Sequence, residues 1–137
     1  MAFTDEEIAY LQSQQLARLA TVGDGEQPDA VPVAFEFDGT QFWVGGPGEV
    51  VLRTRKFRNV VAGHGKVALI VDDMISLDPL NVRGIRIYGD ADGPVERVGM
   101  VGPGFYLHIV PTISWSWNMA GKPAGDSWYE SRRTRHM

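Results

Sequence analysis

Two Asp-Gly pairs, Asp24-Gly25 and Asp38-Gly39, bracket a run over 29–37 in which Val31, Val33, Phe35 and Phe37 share one face and Glu36 lies on the other. A period of two marks a half-buried strand, and Asp-Gly between such runs is hairpin chemistry. A chain that reverses at both ends of an early strand is committed to antiparallel neighbours. Leu16-Ala17-Arg18-Leu19-Ala20-Thr21-Val22 supplies the strand before the first reversal, and 41–45 the strand after the second.

The rest of the chain extends this pattern. Thr4 followed by Glu7 is a capping box, which predicts a helix over 5–14 with Ile8, Leu11 and Gln12 or Gln15 along one stripe. A basic segment, about 50–62, reads as a short helix with Phe57, Val60 and Val61 as its core contacts. Gly63-His64-Gly65 ends it, glycine being favoured at a left-handed cap. Residues 66–72 are nearly all apolar, predicting a strand buried on both faces. In 83–91, Arg83, Ile85 and Ile87 alternate with Gly84, Arg86 and Tyr88. Four glycines and two prolines in 93–104 predict a loop. Residues 105–117 form a long strand interrupted at Pro111, and 118–137 a polar, partly ordered tail. The expectation is a single mainly β domain over 1–137: six antiparallel strands in a small barrel, with helices plugging its openings.

Thr54-Arg55-Lys56-Phe57-Arg58-Asn59 packs a hydroxyl, three cations and an amide into one short segment. Arg offers a planar fork, Lys a point charge, and the hydroxyl and backbone N–H groups add hydrogen bonds, which is the chemistry of phosphate binding. A solvated helix face is the alternative reading of such a run. The chain as a whole carries a net charge of −4, which counts against a nucleic-acid or anionic-membrane partner and makes the basic run a local feature suited to a small anion. There is no cysteine, so disulfides, thiolate metal sites and a Cys nucleophile are excluded, and no metal-ligand cluster is expected. The N-terminus lacks the basic and apolar regions of a signal peptide, and no apolar run approaches the roughly 20 residues of a membrane span. A cytoplasmic protein is the expectation.

These segments together resemble a family. The run 16–22 with Asp24-Gly25, Pro28 and Val31-Pro32-Val33-Ala34-Phe35 is similar to the opening of the pyridoxamine 5′-phosphate oxidase-like split β-barrel superfamily. Thr54-Arg55-Lys56-Phe57-Arg58-Asn59 resembles its Ser/Thr-Arg-Lys-x-x-Asn phosphate segment. Lys66-Val67-Ala68-Leu69-Ile70-Val71-Asp72-Asp73 and Arg83-Gly84-Ile85-Arg86-Ile87-Tyr88-Gly89-Asp90-Ala91 resemble the strands that follow. Pro111 with Ser114-Trp115-Ser116-Trp117-Asn118 resembles the closing Trp-containing strand of the actinobacterial deazaflavin branch, and within it the oxytetracycline-reductase-like group.

The resemblance implies a six-stranded antiparallel split β-barrel of the FMN-binding type, a homodimer with shared cofactor sites, and either coenzyme F420 or FMN as cofactor. It implies that Thr54, Arg55 and Lys56 hold the cofactor phosphate, that Asn59 braces that segment, that Val31, Pro32 and Val33 run beside the ring, and that Trp115 and Trp117 lie near the subunit interface. The Arg-x-His-type substrate-phosphate residues of true pyridoxamine-phosphate oxidases have no counterpart, which counts against a pyridoxal-phosphate role. The expected activity is hydride transfer between F420 and a small unsaturated organic substrate. The alternatives are an FMN-binding oxidoreductase on the same fold and a non-catalytic F420- or flavin-binding protein. No catalytic residue is assigned: His64 reads as a turn residue, and His108 and Tyr88 are titratable groups on strands without a defined role.

Overall fold

The computed structural model describes residues 2–137. Helix α1 (Asp5–Ser13) precedes strands β1 (Leu16–Val22), β2 (Pro28–Phe37) and β3 (Phe42–Pro47). A 3-10 turn (Val50–Arg53) and helix α2 (Arg55–Val61) lead into β4 (Lys66–Ser76), β5 (Asn81–Gly99), β6 (Gly102–Trp117) and β7 (Ser131–Arg135). All strands pair antiparallel in the order β3-β2-β1-β4-β5-β6-β7, and β3 also pairs with β6, closing a six-stranded barrel with β7 as an extra strand. The two halves of β6 have different partners. Residues 104–109 close against β3 and residues 113–117 carry β7, with Pro111, which has no N–H to give, at the changeover.

The reversals form as the Asp-Gly pairs predict, with one difference. Asp38 Oδ1 accepts from the backbone N–H groups of Thr40 (2.9 Å) and Gln41 (2.8 Å), and Gly39 takes φ +106°. At the first reversal the left-handed residue is Glu26 (φ 59°), inside a connection running from Gly23 to Gln27. Inward residues of every barrel strand fill the centre: Leu19, Phe35, Phe42, Leu69, Ile85, Ile87, Leu107 and Ile109 are all buried. Phe57 and Val60 of α2 plug one end. Val61 remains exposed, because it lies about 100° round the helix from Val60.

In β4, Val67, Leu69 and Val71 are buried but Ala68 and Ile70 only partly so, so just one face meets the core. In α1 the packed stripe is Glu7, Tyr10 and Leu11, while Gln12 and Gln15 face outward. Glu7 is also more than a cap. Its carboxylate accepts from Thr4 N–H (2.9 Å), Ser116 Oγ (2.5 Å) and Arg132 Nη1 (3.2 Å), tying α1 to β6 and β7. The stretch expected to be a partly ordered tail therefore contains a strand fixed to the first helix, and Thr134 within it is fully buried.

The expected loop over 93–104 is instead the far end of the β5–β6 hairpin, with Gly99 paired to Gly102. Gly93, Gly99 and Gly104 answer to close approach, a Cβ on Gly104 lying 2.1 Å from the Gly46 carbonyl oxygen where β6 crosses β3, whereas Gly102 (φ +87°) serves the turn.

Candidate functional site

The basic segment sits where α2 packs against β1 and β5 at the barrel end. Phe57 anchors it from below, which turns Arg55 and Arg58 outward, and Arg53 precedes them on the 3-10 turn. All three arginines are exposed and none is ion-paired among the described residues. Lys56 is half-buried. Burial pushes its ammonium below the usual lysine value, and the carboxylate of Asp29 opposes that shift. The Thr54 hydroxyl donates to the Val51 carbonyl at 2.6 Å, so its oxygen stays free to accept but its proton is committed.

Asn59 ties this segment to the sheet. Its Nδ2 donates to Thr21 Oγ1 at 2.9 Å, both residues being buried. Gly23 lies over the same amide: a Cβ there would sit 2.5 Å from Asn59 Oδ1. Two hollows flank this contact. One, of about 390 Å³, lies between the β1–β2 connection and α2 and is lined by Arg55, Arg58, Asn59 and Asp24. His64 Nε2 meets Asp24 Oδ1 at 2.6 Å on its rim. The other, of about 670 Å³, is bordered by Thr21 and runs over Ala20, Ala68, Tyr88 and Thr112. A cationic hollow next to a larger, mainly apolar one is the arrangement that a ligand with an anionic arm and a flat ring requires.

The other site residues expected from the sequence separate. Val33 is in the core and Val31 packs against it, so of the three residues 31–33 only Pro32 is exposed. Trp115 and Trp117 share a face of β6. Pro32, Arg18, Ile70, Arg86 and Trp115 stand in one row across β2, β1, β4, β5 and β6. Four strand spacings, roughly 19 Å along the sheet, thus part Pro32 from Trp115 within one chain. His108 Nε2 lies 2.5 Å from Gln41 Oε1, Nδ1 is 3.6 Å from Asp92 Oδ1 and outside hydrogen-bond reach, and the ring stacks on Trp43 at 4.3 Å. That is a structural histidine of the β3–β6 seam. Tyr88 is exposed on the border of the larger hollow.

Thr21, Gly23 and Asp29 were not singled out by sequence. Thr21 had a signal, since the inward face of β1 reads Ala17, Leu19, Thr21, placing a hydroxyl where the core continues. Asp29 had none, because its proximity to Lys56 depends on how α2 caps the barrel. Among the described residues no group of His, Asp or Glu is placed to hold a metal ion, and no helix is long and apolar enough to cross a membrane.

Residues 3–97 match the pyridoxamine 5′-phosphate oxidase family. A 5a,11a-dehydrotetracycline/5a,11a-dehydrooxytetracycline reductase of Streptomyces rimosus is 46% identical over 91 residues, 66% of this chain. That match spans 63% of the relative's length. A conserved hypothetical protein of Mycobacterium tuberculosis has a similar structure, with TM-score 0.68, 19% identity, and 93% of this chain and 94% of the other covered. An F420 reductase superposes with TM-score 0.53 at 18% identity, covering 73% of this chain and 88% of its own. Both structural likenesses speak for the fold.

Proposed function

The chain belongs to the pyridoxamine 5′-phosphate oxidase family, and from that premise we propose that it is an F420-dependent oxidoreductase moving a hydride between the deazaflavin and a small unsaturated organic substrate. The observation that carries this reading is the set of cations Arg53, Arg55 and Arg58, without an ion pair among the described residues, beside the half-buried Lys56 in a chain whose net charge is negative. One phosphate is satisfied by Arg55 and Lys56 alone, which is all an FMN-dependent enzyme on this fold would need. The further charge suits F420, whose phosphate continues into a tail of carboxylates. The reductase relative supports the same class of chemistry.

A bound deazaflavin supplies a hydride from the carbon that replaces the flavin N5, without the oxygen reactivity of a reduced flavin. The protein's own residues then have positioning tasks. Arg55 and Lys56 grip the phosphate, Arg53 and Arg58 face the carboxylate arm, and Asn59 fixes their segment to β1. The outer face of the sheet, with Ala20, Ala68, Ile70, Tyr88 and Trp115 partly or fully exposed, presents apolar surface that excludes water when covered. We propose that a second copy of the chain covers part of it, which would bring the tryptophans of one protomer towards the basic segment of the other. Substituting Lys56→Ala should weaken F420 binding by about 1.5–3 kcal/mol, the scale of a charge-assisted hydrogen bond, with little change in thermal stability. Equal affinity in both proteins would reduce the basic run to a solvated helix face.

A further inference from the structure

Asp24 and His64 lie outside the basic segment but meet at its hollow. Asp24 lines the wall made by the β1–β2 connection, and Arg55 and Arg58, three positions apart on one face of α2, line the wall across from it. A carboxylate that shares a hollow with two arginines has an evident partner in either. Here it takes neither. Arg55 and Arg58 have no ion pair among the described residues. The side chain of Asp24, 87% exposed, is engaged by His64 instead, with Nε2 2.6 Å from Oδ1. A carboxylate accepts, so the imidazole nitrogen that faces it is the one carrying a proton.

The backbone fixes the imidazole there. His64 N–H donates to the Asn59 carbonyl at 3.0 Å, closing the end of α2. Gly63 before it takes φ +103°, a left-handed conformation that a side chain would strain. Gly65 after it accepts from Ala91 N–H at 2.7 Å, and a Cβ on Gly65 would lie 2.8 Å from the Ala91 carbonyl oxygen. His64 therefore sits on a turn clamped to α2 on one side and to β5 on the other. Asp24 has no second side-chain hydrogen bond among the described residues. The fixed member of the pair thus sets where the free one points.

We infer that His64 is a positioning residue for the anion site: it holds the Asp24 carboxylate at the rim and so keeps Arg55 and Arg58 open to an oligoanionic ligand. Released from His64, Asp24 is a built-in competitor, because a carboxylate turned inwards offsets one of the two cations of the hollow. Naming the ligand as the anionic arm of a cofactor rests on the function proposed above. The latch itself does not, and inorganic pyrophosphate probes it without cofactor.

The test is calorimetric titration with pyrophosphate, at low salt, of the full chain and of His64→Ala, Asp24→Asn and the double variant. The wild type should bind pyrophosphate saturably. Asp24→Asn should tighten binding about two- to fivefold, the scale of one exposed ion pair, and His64→Ala should weaken it by a similar factor. Once Asp24 is Asn, His64→Ala should change nothing, since no competitor remains to be restrained. His64→Gln, whose amide can also donate to Asp24, should retain part of the wild-type affinity. An equal loss on His64→Ala in both backgrounds would overturn the inference, because His64 would then touch the anion itself. So would undiminished affinity in His64→Ala, or a wild type without saturable binding. If His64→Ala does not fold, the wild type against Asp24→Asn still decides, because unchanged affinity there removes Asp24 as a competitor. In a parallel titration, a wild type that binds pyrophosphate as described but not F420 would refute the proposed function and leave the latch standing.

Discussion

Replacing Asn59 with leucine removes one hydrogen bond and little volume. The bond runs from Asn59 Nδ2 to Thr21 Oγ1 at 2.9 Å, between residues 7% and 4% exposed. A lost hydrogen bond in the open costs about 1 kcal/mol, but here the Thr21 hydroxyl would be left buried and unpaired, raising the cost to about 1–3 kcal/mol. For a chain of this length that is a fall in Tm of about 3–5 °C for each kcal/mol. Thr21→Val should cost a similar amount from the other side. The double variant places two apolar side chains in contact, so its loss should be smaller than the sum of the singles by about 0.5–3 kcal/mol. Urea unfolding of the four proteins gives the cycle, and F420 titration of the same four gives its functional counterpart. If Asn59 positions the basic segment, both singles weaken cofactor binding although neither residue carries a charge. Additive stability losses, or single losses below about 0.3 kcal/mol, would refute the bracing. Unchanged cofactor affinity in destabilised singles would confine the contact to folding.

Two further expectations follow from titration. Burial holds Lys56 below its ordinary value of 10.5, so its proton, and with it its hold on an anion, is lost as pH rises through that lowered value. Affinity for an anionic cofactor should therefore decline at a pH below that of an ordinary lysine, whereas Lys56→Arg should hold its affinity flat across the same range; parallel declines in titrations of both proteins would remove Lys56 from the site. Burial likewise pushes His136 below its ordinary 6.5, partly opposed by Glu7. The unfolded chain then takes up the proton more readily, so stability is complete above about 6.5 and is lost as pH falls through the window beneath it. The urea midpoint should drop in that window for the wild type and drop less for His136→Gln, and identical slopes would place the acid sensitivity elsewhere.

What the sequence made legible was whatever depended on local chemistry. Asp-Gly turns and period-two runs located β1, β2 and β3, and the capping box located α1, because each signal lies within a few residues of what it specifies. The β5–β6 ribbon was misread because glycine serves two ends. In 93–104 it permits a close crossing of strands, as Gly104 does against Gly46, and a local pattern cannot tell that from a loop. β7 escaped notice because Ser131–Arg135 buries only Thr134, and its strand is imposed by the free edge of β6 and by Arg132 reaching Glu7. In the site, the cations were visible in order along the chain. Thr21, which holds Asn59, and Asp29, which faces Lys56, were not, since each is some thirty residues away from the residue it meets and approaches α2 only after the barrel closes.

In the proposed function, the four cations of the 53–58 segment serve an anionic chain longer than a single phosphate. Titrating the purified protein with F420 and with FMN side by side, by ligand fluorescence at rising salt, measures it directly. F420 should bind more tightly than FMN at low salt, with the margin shrinking as screening cuts the contribution of the outer arginines. A protein that emerges from expression carrying bound flavin and shows no affinity for F420 would contradict it.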